Sequence, residues 1–522
     1  MDLTPSWNYD LAEMPKEEGT TMMNTTPARR KSASGLWLPG LLAFALVLGA
    51  VAGFGQEMPG RPASLDTAKA PAIAARRAHL MAAVKDGIIL IPSQVKSREN
   101  LNFVYLTGLK EADAVLLLDP AGNPRETIFR RAGGGPGARI MAGEPAGTAR
   151  PGGPGGQVTA PNAAGPDQGL VEKPATQLSM ELIRLAMSGR LKRVYLPLAD
   201  LDFLARAFGE TGLPNPLSQA EDLVNIDPAI SELRLTKDAD EIAVLRQAID
   251  LTAEALNETF RAAEPKMSEV DLAAILRYAF DRRETEDSFL QAASGPNSTN
   301  IHFGATSRPL TAGDLVVFDV GVWLRGYTSD ISRTIPAGGR FTAAQQDIYA
   351  LVLEAEKAGC AGLVPGVTFK AVQTAVEDIL MAGLEKLGLV TDVKSPWQRR
   401  FYIQHGFGHG IGLDVHDVWS WHSPRLDQVV MAPGMIMTME PGLYFPEGRL
   451  ETLKGKAPEA EIAAFRDKVG PVYKKYAGLG VRIEDDVLIT ATGNEILSDR
   501  VPKEIAAIEK LMREKSAFNL MK

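Results

Sequence analysis

Aspartate seldom belongs inside an apolar strand, yet Leu315-Val316-Val317-Phe318-Asp319-Val320-Gly321 sets one in a run that otherwise reads as buried β-structure. A carboxylate taken out of water without a partner is costly, so any fold that buries this run must give Asp319 a cation or a proton. After a turn at Leu324 to Gly326, a second strand over Tyr327 to Ile335 carries Asp330. With the hairpin centred between Leu324 and Arg325, positions 319 and 330 lie directly opposite, about 5 Å apart at Cβ. Like charges at that separation repel, and a divalent ion between them turns repulsion into attraction. The oddity recurs in Met435 to Glu440, an apolar strand ending in an acid, and in Gly480 to Thr490, which carries Glu484, Asp485 and Asp486. Any one of these acids alone is adequately explained by a salt bridge or a hydrogen-bonded turn. Their recurrence beside a histidine cluster is not.

Six histidines occur in the 522 residues, and three of them, His405, His409 and His416, fall within twelve positions. They lie in His405-Gly406-Phe407-Gly408-His409-Gly410-Ile411-Gly412-Leu413-Asp414-Val415-His416, whose glycines lack dinucleotide-loop spacing and precede no helical pattern. Glycine lets a backbone pass close to an ion or a substrate. The single cysteine, Cys360, excludes an intramolecular disulfide and a thiolate finger, which leaves oxygen and imidazole donors. That donor set suits Mn or a similar borderline-hard divalent ion, with Co and Zn as alternatives.

The chain is long enough for two domains, and its ordinary apolar and charged fractions fit a globular protein. A net charge of -8 argues against nucleic acid as a partner. Residues 1–55 read as a signal peptide or an N-terminal anchor. Arg29, Arg30 and Lys31 precede an apolar stretch from Leu36 to Phe54, and Ala50-Val51-Ala52 offers a small-residue cleavage site. The expectation is an exported, periplasmic or secreted protein, and the alternative is a membrane anchor made by the same segment. A linker at 56–69 leads to an N-terminal α/β domain at 70–230. There a helix over Ile73 to Val84 and strands over Ile88 to Ile91, Ala114 to Leu118 and Arg193 to Leu196 are expected, with a Gly/Pro-rich loop at 133–169. A second domain, 231–522, opens on an amphipathic helix whose face is marked by Ile242, Leu245, Ile249, Ala253, Leu256 and Phe260. Interleaved strands and long helices in it imply a curved antiparallel sheet backed by helices.

Four stretches, Phe318 to Thr334, His405 to His416, Met439 to Tyr444 and Gly480 to Asp486, together and in this order resemble the catalytic signature of the pita-bread metallopeptidases. Within that group the chain is most similar to Xaa-Pro aminopeptidase (aminopeptidase P), with Xaa-Pro dipeptidase, or prolidase, next. The resemblance implies an N-terminal α/β domain followed by a pita-bread catalytic domain, and a homo-oligomer, dimer or tetramer. It implies two divalent metal ions: Asp319 chelating one, Asp330 and Glu484 bridging both, His409 and Glu440 completing the other. His302 matches a substrate-side histidine. His405 and His416 match histidines that contact substrate and assist proton transfer, Glu440 a general base, and Arg482 and Tyr444 residues that support the site. The implied substrates are peptides with an Xaa-Pro N-terminus. A dipeptidase and a non-catalytic binding module of the same fold are the alternatives. Glu447 to Tyr476, charged and helix-prone, departs from the family pattern and is expected to cover the mouth of the site.

Overall fold

The computed structural model describes residues 70–518 apart from 85, 96–97, 112, 131–168, 199–216, 218–219 and 419–425. The expected signal segment, the 56–69 linker and nearly all of the 133–169 loop lie outside the described residues. The expected localisation is corrected: among the described residues no helix is long and apolar enough to cross a membrane. The 36–54 stretch, on which both the export reading and the anchor alternative rested, lies outside the described residues.

Helix α1 (Ala70–Ala83) leads into a mixed six-stranded sheet of β1 (Ile88–Pro92), β2 (Val115–Leu118), β3 (Glu126–Arg130), β4 (Val171–Pro174), β5 (Arg193–Leu196) and β6 (Asp222–Asn225), in the order β4-β3-β2-β1-β5-β6. Strand side chains alternate between faces, so neighbours in β1 enter different cores. Ile88 and Leu90 meet Leu182 and Leu185 of the helix α2 (Leu178–Met187), whereas Ile89 and Ile91 join the large core shared with the C-terminal half.

A helix α3 (Asp227–Leu235) precedes α4 (Ala239–Ala262), which starts at a capping box in which Asp238 and Glu241 satisfy each other's backbone N–H groups. The expected apolar face of α4 lies on β8 (Leu315–Leu324), where the rings of Phe260 and Phe318 stand 5.5 Å apart. Strand β8 runs between β7 (Glu286–Ser294) and β10 (Ile331–Pro336), with β9 (Tyr327–Thr328) beyond its turn. Helices α5 (Ala343–Gly362), α6 (Phe369–Lys386) and α7 (Pro396–Tyr402) follow. Then come β11 (Ile436–Met439), β12 (Gly442–Tyr444), helix α8 (Glu459–Tyr476), β13 (Gly480–Arg482), β14 (Asp485–Ile489) and β15 (Asn494–Ile496).

The hairpin register differs from the sequence expectation. Arg325 and Gly326, both at positive φ, form a two-residue turn, so Asp319 stands opposite Ser332 rather than Asp330. The slip is two residues, which keeps Asp330 on the face of Asp319.

Two expected strands are broken, each at an acid. Asp330 lies between β9 and β10, and Glu484 between β13 and β14. Glu440 lies between β11 and β12. The pairing of β11 with β14 and of β12 with β13 keeps one register across the gap, so Glu440 and Glu484 face each other where the ladder is interrupted. There a carboxylate is released from the strict alternation of a strand and turns toward a common point.

Behind β14 lies a buried ionic network. Arg333 donates to Asp485 at 2.6 Å, and Lys503 donates to Glu356 at 2.8 Å and to the other oxygen of Asp485. Glu356, Cys360 and Asp485 are close enough to hold a metal, but the Lys503 ammonium already stands between the two carboxylates. Burial and then neighbouring Asp485 push Glu356 up to about 8. Asp485, against burial that would raise it, is held well below the usual carboxylate range by Arg333 and Lys503.

A raised carboxylate stabilises the fold in its protonated form. Its contribution is complete below the unfolded value near 4.5 and is lost as pH rises through about 8. Asp485 has the opposite sign, and its contribution is lost only as pH falls toward its depressed value. Glu356→Gln keeps an acceptor for Lys503 and Cys360 while removing the titration. Scanning calorimetry is expected to show a flatter decline of melting temperature between about pH 5 and pH 9 in the variant, with the acid limb unchanged. An identical alkaline limb in both proteins counts against this assignment.

Candidate active site

Asp319, Asp330, His409, Glu440 and Glu484 all line one cavity of about 460 Å³, together with His302, His405, His416 and Arg482. Tyr444 lies just behind the wall. The stretch 407–411 runs alongside β11, with backbone hydrogen bonds between His409 and Thr438 and from Glu440 to Phe407. This approach needs glycine: a Cβ on Gly408 would stand 2.1 Å from the Thr438 carbonyl oxygen. His409 thereby sits beside Glu440, its Nε2 3.4 Å from Glu440 Oε1 and 3.5 Å from Asp330 Oδ2. Its Nδ1 stands 3.0 Å from the Gly410 carbonyl, which assigns the proton to Nδ1 and turns the Nε2 lone pair toward the acids.

The acids are crowded and under-neutralised. Arg482 donates to Asp319, and Ser332 donates to Asp319 at 2.9 Å and to Glu484 at 2.7 Å. Asp330 Oδ1 and Glu484 Oε1 are buried without a hydrogen-bond partner. Burial first, then repulsion from Asp319, Asp486 and Glu440, drives Asp330 well above the usual carboxylate range, and burial with Asp330, Glu440 and Asp319 does the same to Glu484. Burial lifts Glu440 to about 7 against the pull of His409 and Arg482. A fully buried Arg482, whose charge burial disfavours, is nonetheless held protonated, chiefly by Asp319.

A second chain of hydrogen bonds supports the wall. Arg482 Nη1 donates to Tyr444 Oη at 3.0 Å, and Tyr444 Oη lies 3.0 Å from His405 Nε2. His405 Nδ1 lies 2.6 Å from the Gly406 carbonyl. The consistent assignment has Tyr444 donating to Nε2 and Nδ1 donating to the carbonyl. Burial and then the Arg482 charge lower His405 to about 4, so its ring is neutral at physiological pH. His416 stacks edge-on against His409 with ring centroids 4.4 Å apart, and His302 stands exposed at the rim.

Four carboxylates facing one guanidinium, with two buried oxygens left bare, call for cations. Asp330, His409 and Glu484 offer ligand atoms within 4.8 Å of one another. The donor types, carboxylate oxygens with one imidazole nitrogen, fit hard to borderline divalent ions. A candidate dinuclear metal site is present.

Sequence reasoning missed Ser332, which joins Asp319 to Glu484 and accepts from Arg482 Nε at 2.8 Å. Its position two residues past Asp330, on the same strand face, was the available signal. The apolar wall of Phe289, Ile301 and Val415 was also missed. The expectation that Glu447 to Tyr476 covers the mouth is corrected, since none of its residues lines the cavity. Helix α8 instead buries Ile462, Phe465, Val469, Tyr473 and Tyr476, with Phe465 4.9 Å edge-on from Trp397 of α7. That apolar stripe, spaced three and four residues apart, commits it to packing.

The profile of metallopeptidase family M24 matches residues 243–491. The Xaa-Pro aminopeptidase of Escherichia coli (strain K12) is 32% identical over 444 residues, covering 80% of this chain and 90% of that protein. Among solved structures, Pseudomonas aeruginosa aminopeptidase PepP aligns with a TM-score of 0.65 and 30% identity over 85% of this chain and 98% of its own. Zn-substituted E. coli aminopeptidase P in complex with product aligns with a TM-score of 0.67 and 29% identity over 86% and 99%. Similarity that spans both halves of the chain, over a cavity with this set of acids and histidines, leads to one conclusion: the chain belongs to the Xaa-Pro aminopeptidase (aminopeptidase P) family of M24 pita-bread metallopeptidases.

Proposed function

We propose that this protein is a dinuclear metal-dependent aminopeptidase that releases the N-terminal residue from peptides with proline in second position. The observation that carries the reading is the convergence of Asp330, Glu440 and Glu484 with His409, two of the acids holding buried oxygens without partners. In this reading Asp319, Asp330, His409, Glu440 and Glu484 would together hold the two ions. Mn is the expected ion, with Co or Zn as substitutes. When bound, two such ions supply the positive charge that acidifies a water and polarises the scissile carbonyl.

The chain's own residues do the remainder. Glu440 accepts the proton of the attacking water and returns it to the leaving proline nitrogen. His416 stabilises the negative oxygen developing on the substrate carbonyl. Arg482 fixes the carboxylate of Asp319, and through Tyr444 it holds His405 in one tautomer facing the cavity. His302 at the rim meets the incoming peptide. An Xaa-Pro bond has no N–H, so recognition must use the ring's shape, for which Phe289, Ile301 and Val415 are the candidates. A homo-oligomer, dimer or tetramer, is expected from the family resemblance, and light scattering checks it.

The test is a cleavage assay on Xaa-Pro-Xaa tripeptides after chelation and after adding back Mn, Co or Zn. Chelation is expected to abolish release of the first residue and one of the ions to restore it. Cleavage confined to Xaa-Pro dipeptides shifts the reading to a dipeptidase. No cleavage of either substrate by the re-metallated protein ends it.

A further inference from the structure

We propose that Asp417 is a positioning residue for His416, and that Arg234 and Lys237 act through it to hold that histidine over the cavity. His416 is exposed, and its neighbour in sequence points the other way: Asp417 is 1% exposed. Its two carboxylate oxygens are taken by two cations, Oδ1 by Arg234 Nη2 and Oδ2 by Lys237 Nζ at 3.2 Å. All three side chains are buried. The sequence reading gave none of them a role.

The surrounding backbone is shaped for this contact. Asp417 N–H donates to the Gly410 carbonyl at 2.9 Å, which closes the loop leading from His409 to His416. A Cβ on Gly412 would stand 2.3 Å from Asp417 Oδ2, so glycine there leaves room for the carboxylate. The two cations are themselves fixed. Arg234, near the end of α3, donates from Nη1 to Asn102 Oδ1 at 2.8 Å, and Asn102 donates to Asp227 at 3.0 Å. Lys237 N–H donates to the Gly434 carbonyl at 2.9 Å, just ahead of β11. The loop bearing His416 is thus tied through one carboxylate to Arg234, which reaches Asn102 of the N-terminal half, and through Lys237 to the β11 approach. Mutating the outer-shell partners that orient a metal ligand typically costs about 10–100-fold, and a loss on that scale is expected for a residue that orients His416 through the backbone of its loop.

This inference rests on the proposed peptidase reading, and the test separates the two. Asp417→Asn, His416→Ala and the double variant are assayed on an Xaa-Pro-Xaa peptide, and the His416 imidazole signal is followed by NMR of histidine-labelled protein. With six histidines in the chain, that signal is assigned by its loss in His416→Ala. Asp417→Asn is expected to lower kcat about 10–100-fold with KM within about twofold, to shift the His416 signal, and to cost nothing further in the His416→Ala background. If Asp417→Asn does not fold, Lys237→Met, which leaves the Arg234 pair intact, takes its place in the cycle, and Lys237→Arg is expected to recover activity. Wild-type kcat with an unmoved His416 signal, or losses that multiply in the double variant, overturns the proposal. A wild type that cleaves no Xaa-Pro peptide overturns the functional reading instead, while the NMR signal still decides the positioning role.

Discussion

Asp330→Ala is expected to lower kcat/KM by more than the 10–100-fold that losing an outer-sphere partner of a metal costs, since on the proposed reading it removes a ligand itself. Calorimetric titration is expected to find fewer than two ions bound. The same substitution has the opposite effect on the metal-free protein. Asp330 is buried beside Asp319, Glu440 and Asp486, with one oxygen bare. Deleting it relieves repulsion and desolvation together, so the apo variant is expected to melt above the apo wild type. Metal is expected to raise the melting temperature of the wild type by mass action, and in the variant that rise is expected to shrink. A variant that keeps both activity and the full metal-induced rise would remove Asp330 from the site.

Arg333→Met is the second large effect, and it falls on stability. The guanidinium is fully buried and donates to Asp485 and to the backbone carbonyls of Ser332, Glu484, Ser498 and Val501. Removing one partner of a buried ion pair costs about 3–5 kcal/mol, because the remaining charge is left uncompensated. Lys503 still reaches Asp485, which places the expectation at the lower end of that range. Because Arg333 also grips the carbonyl of Glu484, weaker metal binding is expected alongside the lower stability. Urea unfolding of the apo protein and a metal titration measure the two effects separately. An unchanged unfolding midpoint would contradict the reading of this network.

The acids of the site were legible because they broke a strong pattern. An aspartate inside Leu315 to Val320 conflicts with the burial that its neighbours announce, and only a partner resolves the conflict. The register was not legible to the same degree. Arg325 at positive φ is unusual for a non-glycine residue, and its turn moved the pairing by two places. Ser332 escaped notice because a serine on a buried strand has many uses, and only its contacts to two acids and Arg482 distinguish it. Asp417 escaped because its partners, Arg234 and Lys237, lie far off in sequence and carry no local motif. Glu447 to Tyr476 was misjudged from composition. Its charges are the solvated side of a helix whose other side is Ile462, Phe465, Val469, Tyr473 and Tyr476.

The unbroken register of β12 with β13 has a consequence for how such a chain accommodates change in length. Gly442 to Tyr444 and Gly480 to Arg482 are partners of one another, although an entire helix intervenes between them. Lengthening a connection is cheap, about 0.6 kcal/mol for each doubling of a flexible segment, whereas a single residue added inside either strand would turn Glu440 or Glu484 away from the other. Growth is therefore tolerated at the tip of this ribbon and forbidden along its edges, so an elaboration such as α8 can arise without disturbing the chemistry at the ribbon's base.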